Sequence, residues 1–404
     1  MLTLIKLSSV LVFLIICIKA RLNVGGTLLL GSLLLGLLFN LNPAESVKII
    51  AASAIEFQTI KLYWIVLGVS LLGAILNRLE KLDLLVSEVD SIFGDRRFSL
   101  AAVPAFIGLL PMPGGALVSA PFVESMSRGL EVSAEYKTVL NYWFRHIWEY
   151  SWPLYPAIIL SAALFETQVW NIVYLTFPYT LFAILFGALL LTRFPQKKTV
   201  RTLKIRRLLE AVWPVAAIII MHLVFKLNLA AVLIFTLALV VFIYKVGWSE
   251  FSFCFNKTRP LALLILVWGV MGFKTMIKST DSVEGLPTLL VNAQVPVEVI
   301  VFCIPFLVSL LTGLTVASVG TTFPFLLPLI KTPQINASLL MIAYIGAYLG
   351  ILLSPVHLCL VLTRQYFSAD WVETYKKILQ LVSAMALSLI VMYLVGYPFQ
   401  GFTW

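Results

Sequence analysis

Charge is what this chain has least of. Only 12% of its 404 residues are Asp, Glu, Lys or Arg, about half the share of a soluble domain. That deficit excludes a water-soluble globular protein, and 61% hydrophobic residues exclude a disordered chain. Cysteine is scarce as well. Cys17, Cys254, Cys303 and Cys359 lie far apart, mostly in apolar runs, and form no CxxC or zinc spacing. They exclude a disulfide framework and read as small buried apolar residues. The chain has no HExxH and no Gly-x-Ser-x-Gly, and all five aspartates fall in loops or at span ends. Those absences speak against an enzyme.

What is present is hydrophobic length. The mean hydropathy is +1.00, and a spanning helix needs about 20 mostly apolar residues. Ten stretches qualify: 2–18, 24–40, 60–77, 138–165, 170–192, 208–225, 227–244, 260–277, 338–365 and 372–394. Lys6 before the first run resembles a signal peptide, but no small-residue cleavage site follows, so this helix is expected to be retained. Two further apolar stretches, 98–127 and 297–330, carry breakers at their centres. The first holds Pro111-Met112-Pro113-Gly114-Gly115, the second Thr312-Gly313 and Ser318–Thr322. Proline and glycine interrupt helices, and each arm is too short to cross alone. Both read as re-entrant hairpins, tolerated at depth where protein or a water cavity covers them.

The chain also repeats itself. Val66-Leu67-Gly68-Val69 matches Val267-Trp268-Gly269-Val270, and Ser119–Val123 matches Thr322–Leu326. Tyr142, Pro153 and Phe165 match Tyr344, Pro355 and Phe367. The expected organisation is a first unit at 1–196, a basic linker at 197–207 and a second unit at 208–404. Each unit has five spans and one hairpin. An odd span number inverts the second copy, an arrangement typical of secondary transporters. The basic residues orient it: 21 of the 29 Lys and Arg fall on one side and 7 on the other, with Arg145 inside a span. The richer side is the cytoplasm, so both termini face out. The first hairpin then enters from the cytoplasm and the second from outside. The basic run from Arg193 to Arg207 suits anionic headgroups rather than nucleic acid. The expected fold class is therefore an all-α polytopic membrane protein of about 10 transmembrane helices plus two re-entrant hairpins in two inverted-topology repeats.

Ionisable residues inside a span mark function by default. Arg145, His146 and Glu149 precede Pro153 and Pro156, and Arg145 can pair with Glu149 at i,i+4. Either the pair is structural, or Arg145 faces an anion while His146 and Glu149 couple ions. In the second unit Ser354-Pro355 reads as an N-cap and first helical position. A half-helix is expected to begin there, with His357 in its first turn and its free N–H groups suited to an anion. At the hairpin tips Pro113, Gly114, Gly115 and Ser119, with Ser318, Thr321 and Thr322, are candidate substrate contacts. Thr312 and Thr315 are candidate ion ligands. His222, near a span end, reads as structural.

Leu110–Pro121 together with Asn141–Pro156 resembles a prokaryotic family of uncharacterised integral membrane proteins in the ion transporter superfamily. That superfamily includes citrate, gluconate, dicarboxylate, arsenite and some sodium/proton permeases. The resemblance covers nearly the whole chain and implies transport at the hairpin tips and broken helices. The dicarboxylate carriers place Ser-Asn-Thr at both tips; here the first tip has Pro-Gly-Gly and the second lacks asparagine. The leading expectation is an ion-coupled secondary transporter of a small organic anion in the cell membrane, with Na+ or H+ as coupling ion. A cation/proton antiporter and an intramembrane enzyme are the alternatives. No catalytic residue, resident metal or cofactor is expected. Expected partners are the anion, membrane lipids and a second copy of the chain in a homodimer.

Overall fold

The computed structural model describes residues 2–81, 84, 88, 95–111, 115–195, 205–283 and 294–398. Pro113, Gly114 and most of the expected linker lie outside the described residues. Among those described are eighteen α-helices and no β-strand beyond an isolated bridge between Lys331 and Ile335. The first nine are α1 (Leu2–Lys19), α2 (Val24–Leu38), α3 (Pro43–Ala54), α4 (Phe57–Arg78), α5 (Arg96–Gly108), α6 (Gly115–Ser127), α7 (Ala134–His146), α8 (Pro156–Phe165) and α9 (Val169–Leu191). The second nine are α10 (Ile205–Ile219), α11 (Leu229–Ile243), α12 (Trp248–Lys257), α13 (Pro260–Ser279), α14 (Val297–Thr312), α15 (Thr315–Ile330), α16 (Ala337–Leu352), α17 (Leu358–Phe367) and α18 (Trp371–Leu394). Paired in order, α1 with α10 through α9 with α18, their first residues are 200 (Gly115 to Thr315) to 205 (Val24 to Leu229) apart.

Helices α4, α9, α13 and α18 are each long and apolar enough to cross a bilayer, so the described residues form an all-helical fold with four candidate membrane spans. The other apolar helices are shorter. The stretches at 138–165 and 338–365 each divide into two helices. In the first, α7 ends in a 3-10 turn (Ile147–Tyr150) before α8 resumes at Pro156. In the second, α16 stops at Leu352 and α17 starts at Leu358, so the half-helix does not begin at Ser354-Pro355. His357 is its N-cap (φ −66°, ψ 119°) rather than a first-turn residue. The physical reason lies in hydrogen bonding. Ser354 Oγ donates to Leu310 O at 2.7 Å, across to α14, which holds the Ser-Pro segment off the helix axis.

Helices α3 and α12 were not expected. At 12 and 10 residues they are too short to register as spans. Asn42 starts α3 by accepting from Ala44 N–H, with Pro43 at the first helical position. Asn23, Asn228 and Asn336 cap α2, α11 and α16 in the same way.

Each hairpin is a pair of packed short helices. Helix α5, with 13 residues, is roughly 20 Å long at 1.5 Å per residue, short of a bilayer core of about 30 Å. Its outer end meets that of α6, where the Arg96 guanidinium donates to Arg128 O. The second hairpin turns at Gly313, whose φ of +69° is left-handed backbone that glycine adopts without strain.

The helices pack as two groups, α1–α4 with α10–α13, and α5–α9 with α14–α18. In the first group Gly25 and Gly269 bring the backbones of α2 and α13 into direct contact. In the second, Gly346 and Gly350 of α16 lie on the carbonyls of Phe302 and Phe306 of α14, and Gly108 of α5 lies on Arg145 O. Small residues permit such approach. The hairpins exchange partners, α15 packing on α8 and α6 on α17.

Candidate functional site

The two helix breaks meet in the interior. Arg145, His146 and His357 are 2%, 2% and 8% exposed. Arg145 Nη1 donates to Tyr155 OH at 2.6 Å and Nη2 to Leu110 O at 3.3 Å. Its Nη1 lies 3.8 Å from Glu149 Oε1, which is also 3.8 Å from His146 Nε2. Arg145, His146 and Glu149 therefore belong to one cluster with the end of the first hairpin arm.

Local sequence explains the positions. Tyr155 passes the contact on by donating to Gly108 O at 2.7 Å, Trp152 Nε1 donates to Leu109 O, and Trp148 Nε1 to Ala105 O. These carbonyls close the C-terminal end of α5, where no further helical N–H is available. The aromatic run around the break thus caps the hairpin arm and fixes the break. From the other side, Tyr344 OH donates to Glu149 O at 2.8 Å and Tyr348 OH to His146 O at 2.5 Å.

Across the cluster, His146 Nε2 lies 3.0 Å from His357 Nε2. The sulfur of Cys359 joins them, the three side-chain atoms all lying within 4.8 Å of one another. Cys359 is the residue that sequence reasoning missed. None of the four cysteines forms a disulfide, and the spacing of Cys359 from His357 (His-x-Cys directly after a helix break) is the signal that sets it apart. Asn141 and Thr363 were missed too. Asn141 Nδ2 donates to Ala116 O at 2.6 Å and to Thr363 Oγ1 at 3.3 Å, tying α7 to α6 and α17.

The remaining candidates bond mainly to nearby backbone. Gly115 opens α6, and Ser119 Oγ donates to Ala116 O. Ser318 Oγ donates to Pro305 O, Thr321 to Ala317 O, Thr322 to Ser318 O, and Thr312 to Val308 O. These hydroxyl protons are committed to backbone, which leaves oxygen lone pairs as the groups on offer. Thr315 Oγ1 is buried with no hydrogen-bond partner among the described residues. Ser354 accepts from Val356 N–H besides its bond to Leu310 O. His222 is held apart from the cluster by its Nδ1 bond to Leu227 O.

At the far end of α8, Glu166 adopts left-handed backbone (φ 58°, ψ 39°) and accepts from Lys274 Nζ at 3.0 Å and Lys331 Nζ at 2.9 Å. The same ammonium groups also donate to Ala163 O and Phe165 O, the last carbonyls of α8, where the helix dipole favours cations. The Lys331 hydrogen bond is the largest influence and holds the Glu166 carboxyl down at about 2; burial opposes it, and the Lys274 hydrogen bond and both ammonium charges add to the lowering.

Residues 1–396 match a family model described as a protein of unknown function, DUF401. Comparison with curated proteins gives no match. The chain belongs to the DUF401 family.

Proposed function

We propose that this protein is a secondary active transporter that moves a small anion by alternating access, with its site at the two helix breaks. One observation carries the reading: a closed cluster of Arg145, Glu149, His146 and His357, built where both broken helices and both hairpins converge. Charges buried among apolar helices are costly, and broken helices are the usual way of setting ligand groups at mid-depth. Arg145 offers the anion a fork matched to a carboxylate.

The topology belongs to the same proposal: units 1–196 and 208–404 inverted relative to each other, ten spans, hairpins entering from opposite faces, and both termini outside the cell membrane. Long-range contacts support it, because they pair residues that the charge count assigns to one face. Arg193 meets Tyr136 and Arg97 meets Phe194 on the basic side, and Glu166 meets Lys274 and Lys331 on the other. Cysteines replacing Arg96 and Arg128 should label from the same, cytoplasmic face; labelling from opposite faces excludes the re-entrant reading. The exposed Leu181, Leu185 and Leu189 on α9 and Leu387, Ile390 and Leu394 on α18 suit contact with lipid chains.

Uptake of small organic anions into proteoliposomes under a Na+ or H+ gradient tests the activity. We expect Arg145→Lys to lose most substrate affinity, because a point charge does not replace the fork. If Arg145→Lys is silent and Glu149→Ala rescues Arg145→Ala, the anion contact lies elsewhere. A cation/proton antiporter is the second reading, favoured by Glu149 and the two histidines sharing one space. Ion flux without any anion would select it, with no change of ion dependence in Glu149→Gln excluding Glu149 as a coupling group.

A further inference from the structure

The contact between His146 and His357 has a polarity that neither ring can satisfy alone. His146 Nδ1 lies 2.6 Å from Tyr142 O, and His357 Nδ1 lies 2.9 Å from Gly313 O. A carbonyl only accepts, so both Nδ1 atoms carry hydrogen. In the neutral rings both Nε2 atoms are then bare, and they face each other at 3.0 Å. Two lone pairs at that distance repel. A cation between them makes the contact attractive.

We propose that His146, His357 and Cys359 form a binding site for a divalent transition-metal ion of the zinc class, with Glu149 within reach as a fourth ligand. The site does not depend on the transport reading. Its geometry fits. Zinc binds imidazole nitrogen at about 2.0–2.1 Å, which in a tetrahedron sets two nitrogens roughly 3.3 Å apart. The rings, at 3.0 Å, need to part by only a few tenths of an ångström. The Cys359 sulfur, with the three donor atoms all within 4.8 Å, supplies the third corner. Glu149 Oε1, 3.8 Å from His146 Nε2, is near enough to supply the fourth.

The surroundings are those of a metal site rather than of three chance neighbours. Metal-binding histidines commonly donate their second N–H to a carbonyl or carboxylate, which fixes the ring and aims the lone pair. Here both do so, to carbonyls from different elements, α7 and the tip of the second hairpin. All three ligand residues are buried, which limits competition from bulk water. Sulfur and imidazole select zinc-like ions over magnesium and calcium, which prefer oxygen. On binding, the Cys359 thiol gives its proton to the buffer. Its thiolate and the Glu149 carboxylate then balance the two charges of the ion, while Arg145, 3.8 Å from Glu149, adds one positive charge. The Tyr142 ring closes the remaining side, its centroid 4.6 Å from that of His146.

Cobalt titration of the full-length protein, purified in detergent and stripped with chelator, tests the site by absorption. The expected result is intense visible bands of tetrahedral Co2+ with a thiolate-to-cobalt charge-transfer band in the near ultraviolet. Zn2+ should bleach both and Mg2+ neither. Cys359→Ser should lose the charge-transfer band, and His357→Ala should lose binding. A Cys17→Ser/Cys254→Ser/Cys303→Ser variant leaves the ligand set untouched and should keep every band, so the test stands even if a site variant fails to fold. Absence of bands in the unmodified protein overturns the proposal. So does a charge-transfer band that survives Cys359→Ser or vanishes in the triple variant.

Discussion

The two helix breaks occupy equivalent points of the chain but are built from different chemistry. Trp152 and Ser354 stand 202 residues apart, as do Tyr155 and His357, and each reaches a carbonyl at the inner end of its own hairpin arm. The supporting bonds are thus shared. The charge is not: the first break carries Arg145, His146 and Glu149, and at the same offset the second carries Ala347, Tyr348 and Ile351. Equivalent bonds hold the backbone open at both breaks, while Arg145, His146 and Glu149 all stand at the first and the second brings His357 and Cys359. Polar groups at a break are easily hydrogen-bonded to the freed backbone, whereas a buried charge needs a partner of its own.

That comparison can be broken most directly at Arg145. Removing it leaves Glu149 buried without the guanidinium 3.8 Å away. Arg145→Ala should cost about 3–5 kcal/mol, read as loss of thermal stability in detergent, and Arg145→Ala/Glu149→Ala should recover most of it. At the second break the test is Gly350→Ala, where a Cβ would strike the Phe306 carbonyl. Overpacking of this kind costs about 1–3 kcal/mol. Gly108→Ala against Arg145 O should cost a similar amount, whereas Gly73→Ala, with nothing within 4 Å of the new carbon, should not destabilise. Tyr155→Phe removes the hydroxyl between Arg145 and Gly108 O and should cost about 1–3 kcal/mol without disturbing the Ser354 bond in the other half.

The smallest effect is at Glu166. Its folded value of about 2 lies below the ordinary 4.5, so its contribution is complete above about pH 4.5 and is lost as pH falls toward 2. The carboxylate is 47% exposed, and pairs of this kind are worth about 0–1 kcal/mol. Glu166→Gln should remove that part of the acid dependence of the melting temperature and change little at neutral pH.

Much of the framework is legible in apolar length and in breakers. Helices stop near Pro111, Pro153, Gly313 and Pro355 because those residues remove an N–H or favour turn backbone. Helix α17 starts beyond Ser354-Pro355 because Ser354 can cap locally or bond across to Leu310, and only packing decides between them. Helices α3 and α12 escaped notice because a filter tuned to bilayer thickness passes over short helices. The assembly of His146, His357 and Cys359 was not legible for a different reason: 211 residues separate the two histidines. Nothing local in either segment records that their bare nitrogens will face each other.

The lysine clasp on Glu166 spans the boundary between the two helix groups, since Glu166 and Lys331 belong to one and Lys274 to the other. An ion pair placed across such a boundary acts as a catch that ties the two groups together at this face. Its partial exposure makes the catch sensitive to ionic strength. Added salt should therefore speed hydrogen exchange at the α8 and α13 ends while leaving protection in the interior of each group unchanged, which makes the clasp a setting on rate rather than on architecture.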